Sequence, residues 1–234
     1  MDHATDLPVL RGTGLTKSYG ATRALDGVDL AVRAGESLAV TGPSGSGKST
    51  LLHCLAGVER PDAGEVLLQE ERIDQLREPK RSEVRRRRFG FVFQFGQLLP
   101  ELPAVENVAL PLMLDGASRG TAETRARAWF APLGLQGKEA SRPGELSGGQ
   151  AQRVALARAL VAGADVVFAD EPTGALDRAT GQDVIRMLTE VASRQRAALV
   201  VVTHDDAVAR WCDRTVQVQD GRLLSAARPA GGAR

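Results

Sequence analysis

The segment Gly42-Pro43-Ser44-Gly45-Ser46-Gly47-Lys48-Ser49 most constrains what this chain can fold into. It fits the pattern G-x-x-x-x-G-K-[ST], in which glycines let backbone N–H groups curl around phosphates. The pattern has its meaning only between a strand and a helix, and the flanks supply both. Ser37 to Thr41 is a short, mostly apolar run, and Thr50 to Gly57 reads as the body of a helix ending on glycine. That helix would aim the positive end of its dipole at the bound anion. Lys48 would reach the outer phosphates, and the Ser49 hydroxyl would bind Mg²⁺.

The rest of the chain alternates between strand and helix patterns. Val28, Leu30 and Val32 alternate with Asp29, Ala31 and Arg33, the mark of a half-buried strand. Glu65 to Gln69, Phe89 to Phe93, Asp165 to Ala169 and Ala197 to Val202 read as further strands, and the last two are short buried runs. Strands separated by long helical stretches imply crossover connections and a mainly parallel sheet. From about 96 to 162 no strand pattern occurs. Ala104 to Leu114 (apart from Pro111), Thr121 to Leu133 and Gln150 to Val161 read as helices, so a helical insertion is expected within an α/β core. Thr215 to Gln219 alternates again, and Asp220-Gly221 is a hairpin turn signal before Arg222 to Leu224. One domain over 1–224 is expected, with its core at about 9–95 and 163–224. A flexible tail is expected over 225–234.

A second acidic element lies beyond the insertion. Val166-Val167-Phe168-Ala169 leads into Asp170 and Glu171. A carboxylate at the end of a strand beside a phosphate loop is placed to hold Mg²⁺. A second one next to it can take a proton from attacking water. A third signal is Leu146-Ser147-Gly148-Gly149-Gln150, a serine and two glycines just before a helix, which makes another anion-binding helix start. The chain thus holds two phosphate cradles, and one folded unit does not need both for one nucleotide.

This last segment resembles the signature motif of the ABC-type ATPases. Leu25, Gly35, Gly42 to Leu52, Gln94, Asp170-Glu171-Pro172-Thr173, Ala175-Leu176-Asp177 and Thr203-His204-Asp205 fit the same family in the same order, from about Leu10 to Leu224. The resemblance implies a P-loop NTPase fold: a RecA-like core with a mainly parallel sheet, an antiparallel β portion and an inserted helical subdomain. It implies ATP and Mg²⁺ as cofactors and ATP hydrolysis as the activity. By the same resemblance Tyr19 is the adenine-stacking aromatic. Gly42, Pro43, Ser44, Gly45, Ser46, Gly47, Lys48, Ser49 and Thr50 bind the phosphates. Ser49, Gln94 and Asp170 attend the metal. Glu171 is the general base, and His204 and Gln94 sense the γ-phosphate and the attacking water. Ser147, Gly148, Gly149 and Gln150 would reach ATP held by a second subunit, and Asp177 would signal across that dimer.

Phe91-Val92-Phe93-Gln94-Phe95, Leu98-Leu99-Pro100 and Val105-Glu106-Asn107-Val108 give a narrower likeness. They are similar to the LolD/MacB/FtsE-like branch, whose ATPases pair with FtsX-like permeases. The resemblance implies a head-to-tail ATPase pair serving a separate FtsX/MacB-like integral membrane permease in export, lipoprotein release or mechanotransmission. The permease would dock near Gln94 to Pro103. The other class of function is a soluble ABC ATPase without a permease, a nucleic-acid clamp or a cluster-assembly factor. Composition bears on that choice. Thirty Lys plus Arg balance 29 Asp plus Glu, a net charge of +1, which argues against a nucleic-acid coat. No run approaches the ~18 apolar residues of a membrane span, and Met1 to Pro8 does not read as a secretory signal. A cytoplasmic protein on the inner face of the cell membrane, held there by its permease, is the expectation. Cys54 and Cys212 form neither a disulfide framework nor a zinc site and are expected as buried thiols. The basic run Arg85 to Arg88 is expected to be a solvated helix end.

Overall fold

The computed structural model describes residues 7–227. Two sheets share the chain. The first four strands to pair with one another are β1 (Pro8–Tyr19), β2 (Thr22–Arg33), β4 (Ala63–Leu68) and β5 (Glu71–Arg72). They form an antiparallel sheet in the order β2-β1-β4-β5. The larger sheet contains β3 (Ser37–Thr41), β6 (Phe89–Phe93), β7 (Val166–Asp170), β8 (Ala198–Val202), β9 (Arg214–Gln219) and β10 (Arg222–Ala227) in the order β10-β9-β3-β8-β7-β6. Its pairs are parallel except β9 with β10. This is the mainly parallel α/β core with an antiparallel β portion.

The large sheet is buried on both faces, which explains the unbroken apolar runs of β7 and β8. Ala198, Val200 and Val202 face one core with Leu38, Val40, Phe168 and the inner residues of the antiparallel sheet. Leu199 and Val201 face the other, with Val167, Ala169 and the helices. Helix α1 (Lys48–Leu55) lies in the first core, and α2 (Glu78–Arg88) contributes Val84 to it. Between β6 and β7 the described residues hold helices and turns only: α3 (Ala104–Leu114), α4 (Arg119–Arg127), a 3-10 turn at Pro143–Glu145 and α5 (Gly148–Leu160). Helix α6 (Arg178–Arg194) and the short α7 (Asp206–Ala209) complete the second layer.

Two expectations need correction. The helix expected over Thr121 to Leu133 ends at Arg127, with Pro132 following. Pro132 has no N–H to donate to the Ala128 carbonyl and disfavours the α region at Ala131, so the helix cannot run on to Leu133. Helix α3 spans Ala104–Leu114 as expected, with Pro111 inside it. The tail expected to begin at Ser225 is in part a strand, because β10 continues to Ala227, which pairs with Thr215; the rest of that expected tail, 228–234, lies outside the described residues. The basic run does close a helix, the last turn of α2, but intramolecular ion pairs occupy it. Arg85 pairs with Glu78, Arg86 and Arg87 with Asp115 after α3, and Arg88 with Asp165 before β7.

Candidate active site

The phosphate-loop segment joins β3 to α1. Gly42 has φ 142° and Gly47 φ 105°. A Cβ on Gly42 would stand 2.1 Å from the Val218 carbonyl oxygen, and one on Gly47 would stand 2.2 Å from that of Ala24. Only glycine meets both the torsion and the crowding. The loop is thereby wedged between β9 and β2, and its open side faces the cleft. Lys48 is buried, and its ammonium donates to the Gly42 and Pro43 carbonyl oxygens at 2.9 and 2.7 Å. The first N–H groups of α1 have no intrahelical acceptor and point to the same place.

A cavity of about 310 Å³ opens over this loop. Ser44, Gly45, Gly47, Lys48, Ser49 and Thr50 form its floor. Asp170, Glu171 and His204 face them, and Ala24 and Val202 complete the wall. The facing acids arrive there because β7 and β8 lie beside β3 in parallel and all end at the same edge. This is where open α/β sheets bind ligands.

The two acids have different surroundings. Burial raises the Asp170 pKa above the ordinary carboxylate value, while His53 and Lys48 pull it down. Glu171 has φ 47°, a left-handed conformation that costs a non-glycine residue energy unless its surroundings enforce it. Here they do. The Glu171 N–H donates to the Val202 carbonyl at 2.9 Å. Its carboxylate accepts from the Thr203 hydroxyl at 3.4 Å and from the His204 N–H at 3.1 Å, and it lies 2.7 Å from His204 Nδ1. The bond to Glu171 raises the His204 pKa, with the carboxylate's charge as the second cause. The geometry offers a phosphate cradle, a hydroxyl and a carboxylate on opposite walls, and a held carboxylate able to take a proton.

The other residues singled out in the sequence lie outside this lining. Gln94 follows β6, whose Phe93 pairs with Asp170, and its amide packs against Gly174, where a Cβ would come 2.9 Å from Nε2. Tyr19 is half-exposed at the tip of the β1–β2 hairpin, with the Lys17 ammonium 5.6 Å from its ring centre. Gly42, Pro43 and Ser46 form the back of the loop. Ser147 caps α5: its hydroxyl accepts from the Gln150 N–H at 3.3 Å, and the Gln150 side chain accepts from the Ser147 N–H at 2.9 Å. Gly148 and Gly149 pack against Leu176 and Thr180. Asp177 is exposed and caps α6, accepting from Ala179 and Thr180 N–H at 3.1 and 3.0 Å. Sequence reasoning missed Ala24, Val202 and His53, which carry no motif, and Gln152, a polar residue on the buried face of α5.

The family model for ABC transporters matches residues 25–174, a span that runs from β2 to the turn after Glu171. The chain belongs to the ABC transporter family. As a member it is an ATP-binding, ATP-hydrolysing subunit of such a transporter. It is 43% identical over 219 residues to the lipoprotein-releasing system ATP-binding protein LolD of Chromohalobacter salexigens, covering 92% of each chain. It is 44% identical over 221 residues to the protein of that name from Legionella pneumophila, covering 93% of this chain and 97% of the relative. Among solved structures it resembles the ATP-binding cassette MJ0796, in a dimeric post-hydrolysis state bound to ADP and Pi. That likeness has a TM-score of 0.85 and 36% identity over 95% of this chain and 100% of that one. It also resembles cbiO1 of Clostridium perfringens, part of the transporter complex cbiONQ, with a TM-score of 0.87 and 26% identity over 96% and 90%. Among the described residues no helix is long and apolar enough to cross a membrane.

Proposed function

We propose that this cassette powers a lipoprotein-releasing type of transporter as a head-to-tail pair on an FtsX/MacB-like permease, at the inner face of the cell membrane. The observation that carries the pairing is the separation of the two cradles. Lys48, Glu171 and His204 line one cleft, whereas Ser147 and Gly148 are exposed at the start of α5, outside its lining. Two copies facing each other would present each signature to the other's cleft. The dimeric cassette MJ0796 supports that arrangement, and the curated relatives that match over nine-tenths of both lengths support the lipoprotein-release assignment. They also speak against a soluble ABC ATPase without a permease.

Within the proposed composite site, the loop N–H groups and Lys48 bind the ATP phosphates, and Tyr19 stacks on the base. Mg²⁺ fits the residues present. Ser49 and Asp170 reach into one cleft, and Asp170 is a carboxylate whose charge burial penalises and a cation would stabilise. Among the described residues no group of three or more His, Cys, Asp or Glu side chains forms a metal cage. A Mg²⁺ held mainly by phosphates and one or two protein oxygens is the ordinary arrangement in such sites. Bound there, it would neutralise charge on the transferring phosphoryl group. Glu171 takes the proton of the attacking water, and His204 and Gln94 respond to the γ-phosphate. The loop after β6 is the proposed permease contact, since Phe95 is 75% exposed there and Leu99 41%. Division of the chain into a core at about 9–95 and 163–224 and a helical subdomain at about 96–162 is part of the same reading.

Mixing damaged chains tests the pairing. Lys48→Ala and Ser147→Arg should each be inactive alone. Their mixture should regain ATPase activity, because a heterodimer holds one cleft built from two undamaged halves. A mixture as inactive as its components would contradict the composite site.

A further inference from the structure

Gln152 is an amide placed among apolar side chains on the core face of α5, and it is 2% exposed. A buried amide costs free energy unless its donors are met. Here both are: Nε2 donates to the Phe93 carbonyl at 2.7 Å and to the Pro172 carbonyl at 2.6 Å. Phe93 ends β6 one residue before Gln94, and Pro172 follows Glu171. One side chain therefore joins the two turns that carry these residues, and it does so from the helix that begins at the signature.

Close packing makes the span possible. A Cβ on Gly90 would lie 2.3 Å from the Ala159 carbonyl oxygen, so α5 rests directly on β6. Arg158, six residues further along α5, donates to the Gly96 and Gln97 carbonyls at 2.7 and 2.8 Å and grips the other end of the same loop. On the other turn, Glu171 holds its left-handed torsion with its own N–H on β8. Pro172 has no N–H to offer, so its carbonyl is the backbone handle next to Glu171.

We propose that Gln152 is a positioning residue for hydrolysis, a two-point clamp that fixes the Gln94 and Glu171 turns relative to each other and to the start of α5. The proposal rests on the reading of Glu171 as the proton acceptor. Without the clamp the phosphate loop is untouched, but the carboxylate and the Gln94 loop lose their fixed separation. A misplacement of about 1 Å in such a site can cost about a hundredfold in rate.

The test compares Gln152→Met, Gln152→Asn and Val154→Ala. Methionine keeps the volume and removes both donors. Asparagine keeps an amide one methylene too short to span both carbonyls, and it remains readable if the methionine variant does not fold. Val154→Ala, at a fully buried position of the same helix, measures the effect of destabilising α5 alone. Melting temperature, affinity for a fluorescent ATP analogue, and kcat and KM for MgATP are measured on each purified chain. Both Gln152 variants should keep nucleotide affinity within about twofold and lose kcat, by about tenfold or more for methionine. Val154→Ala should keep kcat within about twofold, at a similar loss of melting temperature. A kcat within about twofold of the unaltered chain in a folded Gln152 variant, or an equal loss in Val154→Ala, overturns the proposal. Glu171→Gln, assayed beside them, separates the two readings. Normal turnover there overturns the role of Glu171, whereas normal turnover in the Gln152 variants alone overturns only the clamp.

Discussion

Asp170 and Glu171 are neighbours in the chain, yet the fold treats them differently. Asp170 ends β7 half-buried, and burial raises its pKa. A carboxylate whose folded value is raised above its unfolded one destabilises the fold when ionised, and that cost is relieved as pH falls through the raised value. Asp170→Asn should therefore raise the melting temperature at neutral pH while removing ATP turnover, a stability gained at the expense of function. Calorimetry and an ATPase assay on the same preparation check both halves. His204 shows the opposite sign. Its folded pKa is raised by Glu171, so the contact contributes fully below the ordinary imidazole value and fades as pH rises through the raised one. Because His204 is largely exposed, its effect on stability is small. The titration itself is the observable. An NMR titration should place His204 above an ordinary histidine, and Glu171→Gln should bring it back down. An unshifted His204 in the unaltered chain would contradict the contact.

At the scale of elements, legibility followed packing. The run Ser37 to Thr41, the glycine loop and α1 were readable because torsion and crowding leave no alternative to glycine at 42 and 47. β6, β7 and β8 were readable as apolar runs buried on two faces. β1 was not, because register shifts on its pairing with β2 break its alternation: Val9 and Leu10 are buried in succession, and Leu15 comes only after a bulge near Gly14. α2 had no apolar period to read, since charged residues fill it around Val84. α6 did carry a signal, the stripe Gly181, Val184, Ile185, Leu188 and Ala192, which the motif reading passed over. Asp177 shows how an element bears on a role taken from a resemblance. It is the N-cap of α6, so Asp177→Ala should lower stability, and Asp177→Asn, an equally good cap, should cost little. Denaturant unfolding reads the cap. Loss of ATPase in a stable Asp177→Asn chain would show the further role across the dimer.

For the whole molecule, the large sheet divides two cores and brings the ends of β3, β7 and β8 to one edge. That arrangement gathers residues 120 and more positions apart into one cleft, which no local pattern in the sequence announces. The motif order announced it instead, through a family whose fold the chain shares over nearly its full length. What neither motifs nor periodicity disclosed is how the helical layer is fastened to the cleft: by Gln152 and Arg158 from α5, and by the Arg86 and Arg87 pairs with Asp115. These are single polar side chains whose partners are backbone carbonyls or distant acids, and they have meaning only once the chain is folded.

The central claim is that Glu171, held on its strained turn over the phosphate loop, is the group that makes this cleft hydrolytic. Steady-state MgATP turnover of Glu171→Gln, taken with its ATP affinity, tests it most directly. The variant should bind ATP as the unaltered chain does and lose about a hundredfold to ten-thousandfold in turnover, the usual worth of a positioned general base. Turnover within a few-fold of the unaltered chain would contradict the account.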